Sequence, residues 1–147
     1  MSVLNQKTIK RSIKFDGIGL HSGKKVIMTL FPAQPNTGIV FKRSDVKNNN
    51  IIYSSVFNVS NASYCTKLTN ENGVTVSTVE HLMAALCGLG IDNLLVELNS
   101  EELPIMDGSA KNFIDVLQNI GFKISDQPIR IIKINKKVTY SDGEKFI

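Results

Sequence analysis

The chain has 147 residues, 42% of them apolar and 20% charged, with a formal net charge of +4. That length and composition allow a real hydrophobic core. No apolar run approaches the ~18 residues of a membrane span, and Met1–Lys7 lacks the apolar stretch of a secretory signal.

The charge is uneven. Residues 1–76 hold ten Lys/Arg against three Asp/Glu, and residues 77–147 hold seven against ten, giving +7 and −3. A basic half suits an anionic partner such as a phosphorylated ligand, an acidic lipid or a nucleic acid. There is no Trp, no zinc-finger spacing and no aromatic RNA-binding signature, so nucleic acid is not expected. Lysine-rich, solvated strand faces account for the excess equally well. The two cysteines, Cys65 and Cys87, have no framework spacing and read as reduced thiols of a cytoplasmic protein.

In chain order, Thr8–Phe15 alternates apolar and polar residues and predicts a strand. Asp16–Gly23 is a loop with three glycines and the first histidine, His21. As a phosphate cradle it is weak, because no helix signal follows. Lys24–Phe31 and Gly38–Lys42 read as two further strands around Pro32–Thr37. The pattern loosens over Ser44–Asn61. A hairpin is expected from Ser63–Leu68 and Val74–Val76, turning at Asn70–Gly73.

Ser77 to Gly90 carries the strongest helical signal, and Asn93–Leu98 follows as an apolar strand. On a wheel of about 100° per residue, Val79, Leu82, Met83 and Leu86 form a core stripe. His81 falls on the opposite face with Ala84, Ala85 and Gly88. Small residues there suit close approach of another layer, so the helix is expected to be covered on both sides, with Glu80 and His81 at the rim. Glu80 has a plain alternative: Ser77-x-x-Glu80 is a capping box, in which the glutamate returns to the Ser77 N–H. A lone histidine is likewise more often hydrogen-bonded or solvated than a metal ligand.

Glu101–Gly108 is an acidic loop. A second helix is expected over Ala110–Ile120, capped by Ser109 and stopped by Gly121, with Phe113, Val116, Leu117 and Ile120 inward. Ile129–Tyr140 predicts a new strand after a break at Ser125–Pro128. A turn at Ser141–Glu144 and a return strand cut at Ile147 suggest the N-terminal part of something longer.

A zinc hydrolase needs about three protein ligands, a water and a nearby carboxylate base. His81, His21, the two cysteines, Asp107 and Glu101-Glu102 are the available donors, and no set has the tight spacing of a complete site.

The ordered motifs are more specific. Gly17-Ile18-Gly19-Leu20-His21-Ser22-Gly23-Lys24-Lys25, Pro35-Asn36-Thr37-Gly38, Ser77-Thr78-Val79-Glu80-His81-Leu82, Gly90-Ile91-Asp92-Asn93 and Pro104-Ile105-Met106-Asp107-Gly108-Ser109 span nearly the whole chain. In this series the chain resembles the zinc-dependent UDP-3-O-acyl-N-acetylglucosamine deacetylases of lipid A synthesis. The resemblance implies an α+β fold, a two-layer sandwich of a mostly antiparallel sheet with two main helices whose helix layer packs on a second, similar domain. It implies a first domain over 1–126 and a truncated start of the second over 127–147.

It further implies Zn2+ as cofactor, His81 as a zinc ligand and Glu80 as the general base that takes a proton from the zinc-bound water. The attack falls on the acetamide of a UDP-linked acylated amino sugar. Lys145 matches a contact to the nucleotide end of the substrate, and Cys65 lies where the acyl-chain passage is lined. The polar neighbours Ser63 and Tyr64 depart from the apolar lining expected there. His21 is not assigned as a ligand. The remaining ligands, a His-x-x-x-Asp pair, and a histidine general acid belong to the absent C-terminal domain, so this chain alone is expected to be inactive. The alternatives are a non-catalytic binding module for an anionic ligand and, last, an RNA-binding α+β domain.

Overall fold

The computed structural model describes residues 4–147; the first three residues of the Met1–Lys7 segment and of the expected first domain lie outside them. The central feature is a five-stranded sheet. It comprises β2 (Ile13–Ile18), β3 (Lys25–Pro32), β4 (Ile39–Arg43), β5 (Ile51–Tyr53) and β9 (Leu94–Leu98), in the spatial order β2-β3-β9-β4-β5. Only β4 and β9 run parallel. A three-stranded antiparallel sheet is built from β6 (Val59–Asn61), β7 (Lys67–Thr69) and β8 (Thr75–Ser77). Helices α1 (Glu80–Leu89) and α2 (Lys111–Ile120) pack against each other. The architecture is α+β, with mostly antiparallel sheets and two helices.

Strand alternation builds one side of the core. Val26, Met28 and Leu30 of β3 and Leu94, Val96 and Leu98 of β9 are buried. The period-2 pleat sends every second side chain to the same face. Leu82, Ala85 and Leu86 from α1 and Phe113, Leu117 and Ile120 from α2 join the same apolar cluster. The Phe15 and Phe113 rings meet edge-on, 5.2 Å apart, tying sheet to helix layer. Each fully buried Val, Leu, Ile, Phe or Met among them contributes about 1.5–3 kcal/mol. α1 stops at Gly90, whose φ of 64° is left-handed and costs glycine little.

Five local expectations are corrected. Thr8–Phe15 is not one strand: β1 (Asn5–Ile9) ends at Ile9 and β2 begins at Ile13. β1 leaves the central sheet to pair with β10 (Phe122–Pro128), in antiparallel register Ile9 to Phe122. The break expected at Ser125–Pro128 is therefore strand, because β1 supplies the backbone partners. Ile129–Tyr140 forms no strand, and its apolar residues, among them Ile132 at 94% exposure, find no sheet to join. The chain ends in a small hairpin, β11 (Ser141–Asp142) with β12 (Lys145–Phe146).

The fourth correction concerns α1. Ala84, Cys87 and Gly88 are exposed, whereas Ala85 is fully buried. Packing against α2 widens the buried arc beyond the four-residue stripe, so Ala85 does not share the outer face with His81. The fifth is the helix start. Val79 is the terminal residue, with no side-chain cap. The Ser77 N–H donates to Glu101 O at 2.9 Å, so it is not available to Glu80 and no capping box forms. For α2 the Ser109 signal holds one residue upstream, since Ser109 Oγ accepts from the Lys111 N–H at 3.1 Å.

Candidate active site

The start of α1 is where three segments converge. Glu80 is half-buried, and its Oε2 accepts from the Thr66 backbone N–H at 2.9 Å. Its other oxygen makes no hydrogen bond among the described residues. His81, the next residue, is also half-buried, and its ring has no hydrogen-bond partner among the described residues. Cys65 precedes Thr66 directly and is a partly exposed free thiol. Thus Glu80, His81 and Cys65 are brought to one edge, where the β6–β7 connection meets the helix.

The β7–β8 hairpin that leads into that edge is tied to the central sheet at its turn end. The Arg43 guanidinium donates twice to Asp45, at 2.8 and 2.7 Å, and once to Thr75 O at 2.7 Å. It thereby fastens the end of β4 to β8. The same guanidinium holds the Asp45 carboxyl below its usual range. Asn70 Nδ2 donates to Ile51 O at 2.9 Å and locks the β7–β8 turn onto β5. Tyr64 has a φ of 65° and is 97% exposed, so the residue beside Cys65 points its ring into solvent.

Below the helix start lies Glu102, counted above only as one of the available donors, in a role that sequence patterning did not reveal. Glu102 is 1% exposed, and it accepts from the His21 N–H at 3.0 Å, the Ser22 N–H at 2.8 Å and Thr78 Oγ1 at 2.8 Å. Burial drives its carboxyl up, but the hydrogen bonds from His21, Ser22 and Thr78 outweigh that and hold it below the usual range. A Cβ on Gly19 would collide with Glu102, and one on Gly17 would come within 2.7 Å of Pro104 Cβ. Asp16–Ile18 of the expected loop is thus the end of β2, and Gly17 there and Gly19 in the loop that follows allow close packing against the Glu102–Pro104 strip. His21 serves that packing through its backbone. The sequence signal was present as spaced glycines and paired acids, but their meeting is a contact across 81 positions.

Lys145 is not brought to this edge. It lies on the exposed β11–β12 hairpin and makes no hydrogen bond or ion pair with Glu80, His81 or Cys65 among the described residues. Among the described residues no three His, Cys, Asp or Glu side chains gather as a metal-binding group. A half-buried imidazole without a hydrogen-bond partner among the described residues fits one ligand of a divalent metal, and the described donors fit no complete set. No described helix is long and apolar enough to cross a membrane.

Fold and site together define an α+β domain that presents an adjacent carboxylate and imidazole at a helix start. The chain belongs to the UDP-3-O-acyl N-acetylglycosamine deacetylase family, whose sequence model matches residues 6–147. It is 51% identical over 144 residues to a UDP-3-O-acyl-N-acetylglucosamine deacetylase of Pseudoalteromonas atlantica, covering 98% of this chain and 47% of that protein. Relatives of the same name from Vibrio parahaemolyticus and Haemophilus influenzae are each 46% identical, again over 98% of this chain and 47% of theirs. The chain thus spans about half the length of the curated relatives it matches.

Proposed function

We propose that this chain forms the first half of a zinc-dependent deacetylase that removes the N-acetyl group from a UDP-linked, acylated amino sugar in lipid A synthesis. The observation that carries the reading is the Glu80–His81 pair at the start of α1, with one carboxylate oxygen anchored on Thr66 N–H and the other without a hydrogen bond among the described residues. Family membership over nearly the whole chain supports the reaction class.

In this reading Glu80 is the general base. Its Oε2 is fixed by a charge-assisted hydrogen bond, which leaves Oε1 oriented to receive a proton from the attacking water. His81 holds zinc through its unpartnered ring. When bound, the metal supplies Lewis-acid activation of that water and of the amide carbonyl. Cys65 borders the acyl chain, and Lys145 reaches the nucleotide end once its hairpin is seated in the whole protein. Residues 1–126 form the first domain and 127–147 begin the second. That second domain packs over Ala84 and Gly88, which are exposed in this half, and brings the remaining ligands. The free thiols suit the reducing cytoplasm.

The test is deacetylation by the whole protein with zinc supplied, native against Glu80→Ala. Loss of turnover with zinc retained supports the assignment, and full activity in the variant overturns it. Zinc-independent binding of an anionic ligand, without turnover in the native protein, would favour the binding module instead.

A further inference from the structure

Thr78 sits two residues before Glu80, is 3% exposed and has a φ of 57°. A β-branched side chain rarely adopts that left-handed backbone. Such strain persists only where the surroundings over-determine it, and here they do. Ser77 donates through both N–H and Oγ to Glu101 O, and Leu103 N–H donates back to Ser77 O at 3.1 Å. Thr78 Oγ1 donates to Glu102 Oε1 at 2.8 Å, and the same carboxylate grips the His21 and Ser22 amides.

Building upon the assignment of Glu80 and His81 above, we propose that Glu102 is a positioning residue. By accepting the Thr78 hydroxyl it holds Thr78 left-handed and so sets the direction in which α1 starts. The first turn then delivers Glu80 to the Thr66 N–H and leaves the His81 ring half-buried without a hydrogen-bond partner among the described residues. A buried carboxylate is an inefficient way to obtain stability alone, because apolar replacements of similar volume often serve as well. Its value here is orientation: two oxygens receive donors from the glycine loop and from the residue that bends into the helix. Gly19 is part of the device, since only the absence of a Cβ lets Glu102 approach.

The experiment compares Thr78→Val, Glu102→Gln and Thr78→Ser in the whole zinc-loaded protein. Valine keeps the shape and β-branching of threonine and removes only the donor. Two quantities are read: kcat and KM per folded molecule, and hydrogen exchange of the Thr66 amide against amides of β3 and β9. In Thr78→Val and Glu102→Gln, kcat should fall on the order of 100-fold with KM little changed, the cost of a misaimed group. The Thr66 amide should exchange at least about tenfold faster while the strand amides hold, marking a local opening. Thr78→Ser, which keeps the donor, should restore both.

Native kcat and native Thr66 exchange in Thr78→Val would overturn the proposal, and that variant decides alone if Glu102→Gln does not fold. Equal loss of protection in β3 and β9 would also overturn it, as a purely structural effect. Exchange is read without turnover, so faster Thr66 exchange with native kcat would uphold the positioning and count against Glu80 as the base.

Discussion

Glu80 Oε2 accepts from the backbone N–H of Thr66 at 2.9 Å, and this bond replaces the capping box that its spacing from Ser77 suggests. A cap and an anchored base make different predictions. In Glu80→Gln the amide oxygen can still accept from Thr66, so thermal stability should stay close to native. Deacetylation should fall by about 10²–10⁴, the usual contribution of a general base. Melting and turnover measured on one preparation check both. A large drop in melting temperature with activity retained would restore the capping role.

His81 follows that carboxylate in the chain, and its half-buried ring has no hydrogen-bond partner among the described residues. His81→Ala should lower the zinc bound by the whole protein, measured as metal content after dialysis, and should lower activity with it. The fold should survive, because the His81 ring is only half-buried and lies outside the apolar cluster. Chelation of the native protein should reproduce the variant's activity, with recovery on adding zinc. Undiminished zinc in His81→Ala would remove it from the ligand set.

Glu102 links stability to pH. Its folded carboxyl lies below the usual range, so the unfolded chain binds its proton first as pH falls. The stabilisation is complete above the unfolded value, about 4.3 for glutamate, and is lost as pH falls through the lower folded value. The urea midpoint should be flat from neutrality to about pH 5 and decline below that. Glu102→Gln should be less stable at neutral pH, by about 1–3 kcal/mol for donors left unpaired, with a shallower acid limb. Asp45 shares the same sign through its Arg43 pair, so some slope should remain.

Gly19 and Gly23 lie in one loop but for different reasons. A Cβ on Gly19 meets Glu102 and Ser22 Oγ, whereas one on Gly23 meets nothing within 4 Å among the described residues, though its φ is 63°. Gly19→Ala should cost about 1–3 kcal/mol as an overpacked site, and should lower activity by displacing Glu102. Gly23→Ala should cost about 1–2 kcal/mol from backbone strain alone and leave turnover near native. Paired urea melts and assays separate the two.

Much of this protein is fixed by local pattern. The alternation Val26-Met28-Leu30 and Leu94-Val96-Leu98 defines strands. The Phe113, Leu117 and Ile120 spacing defines a helix face, and Gly90 and Gly121 end the two helices. These are properties of neighbours in the chain, so periodicity and backbone preference suffice to read them. The tertiary structure decides what those elements meet. It gives Glu80 the Thr66 amide instead of Ser77, buries Ala85 beside a second helix, pairs β1 with a segment more than 110 residues away, and seats Glu102 under Thr78. Each is a hydrogen bond or contact between distant positions. Such partners are chosen when the layers pack and every buried donor must find an acceptor, a requirement that no single stretch of sequence contains.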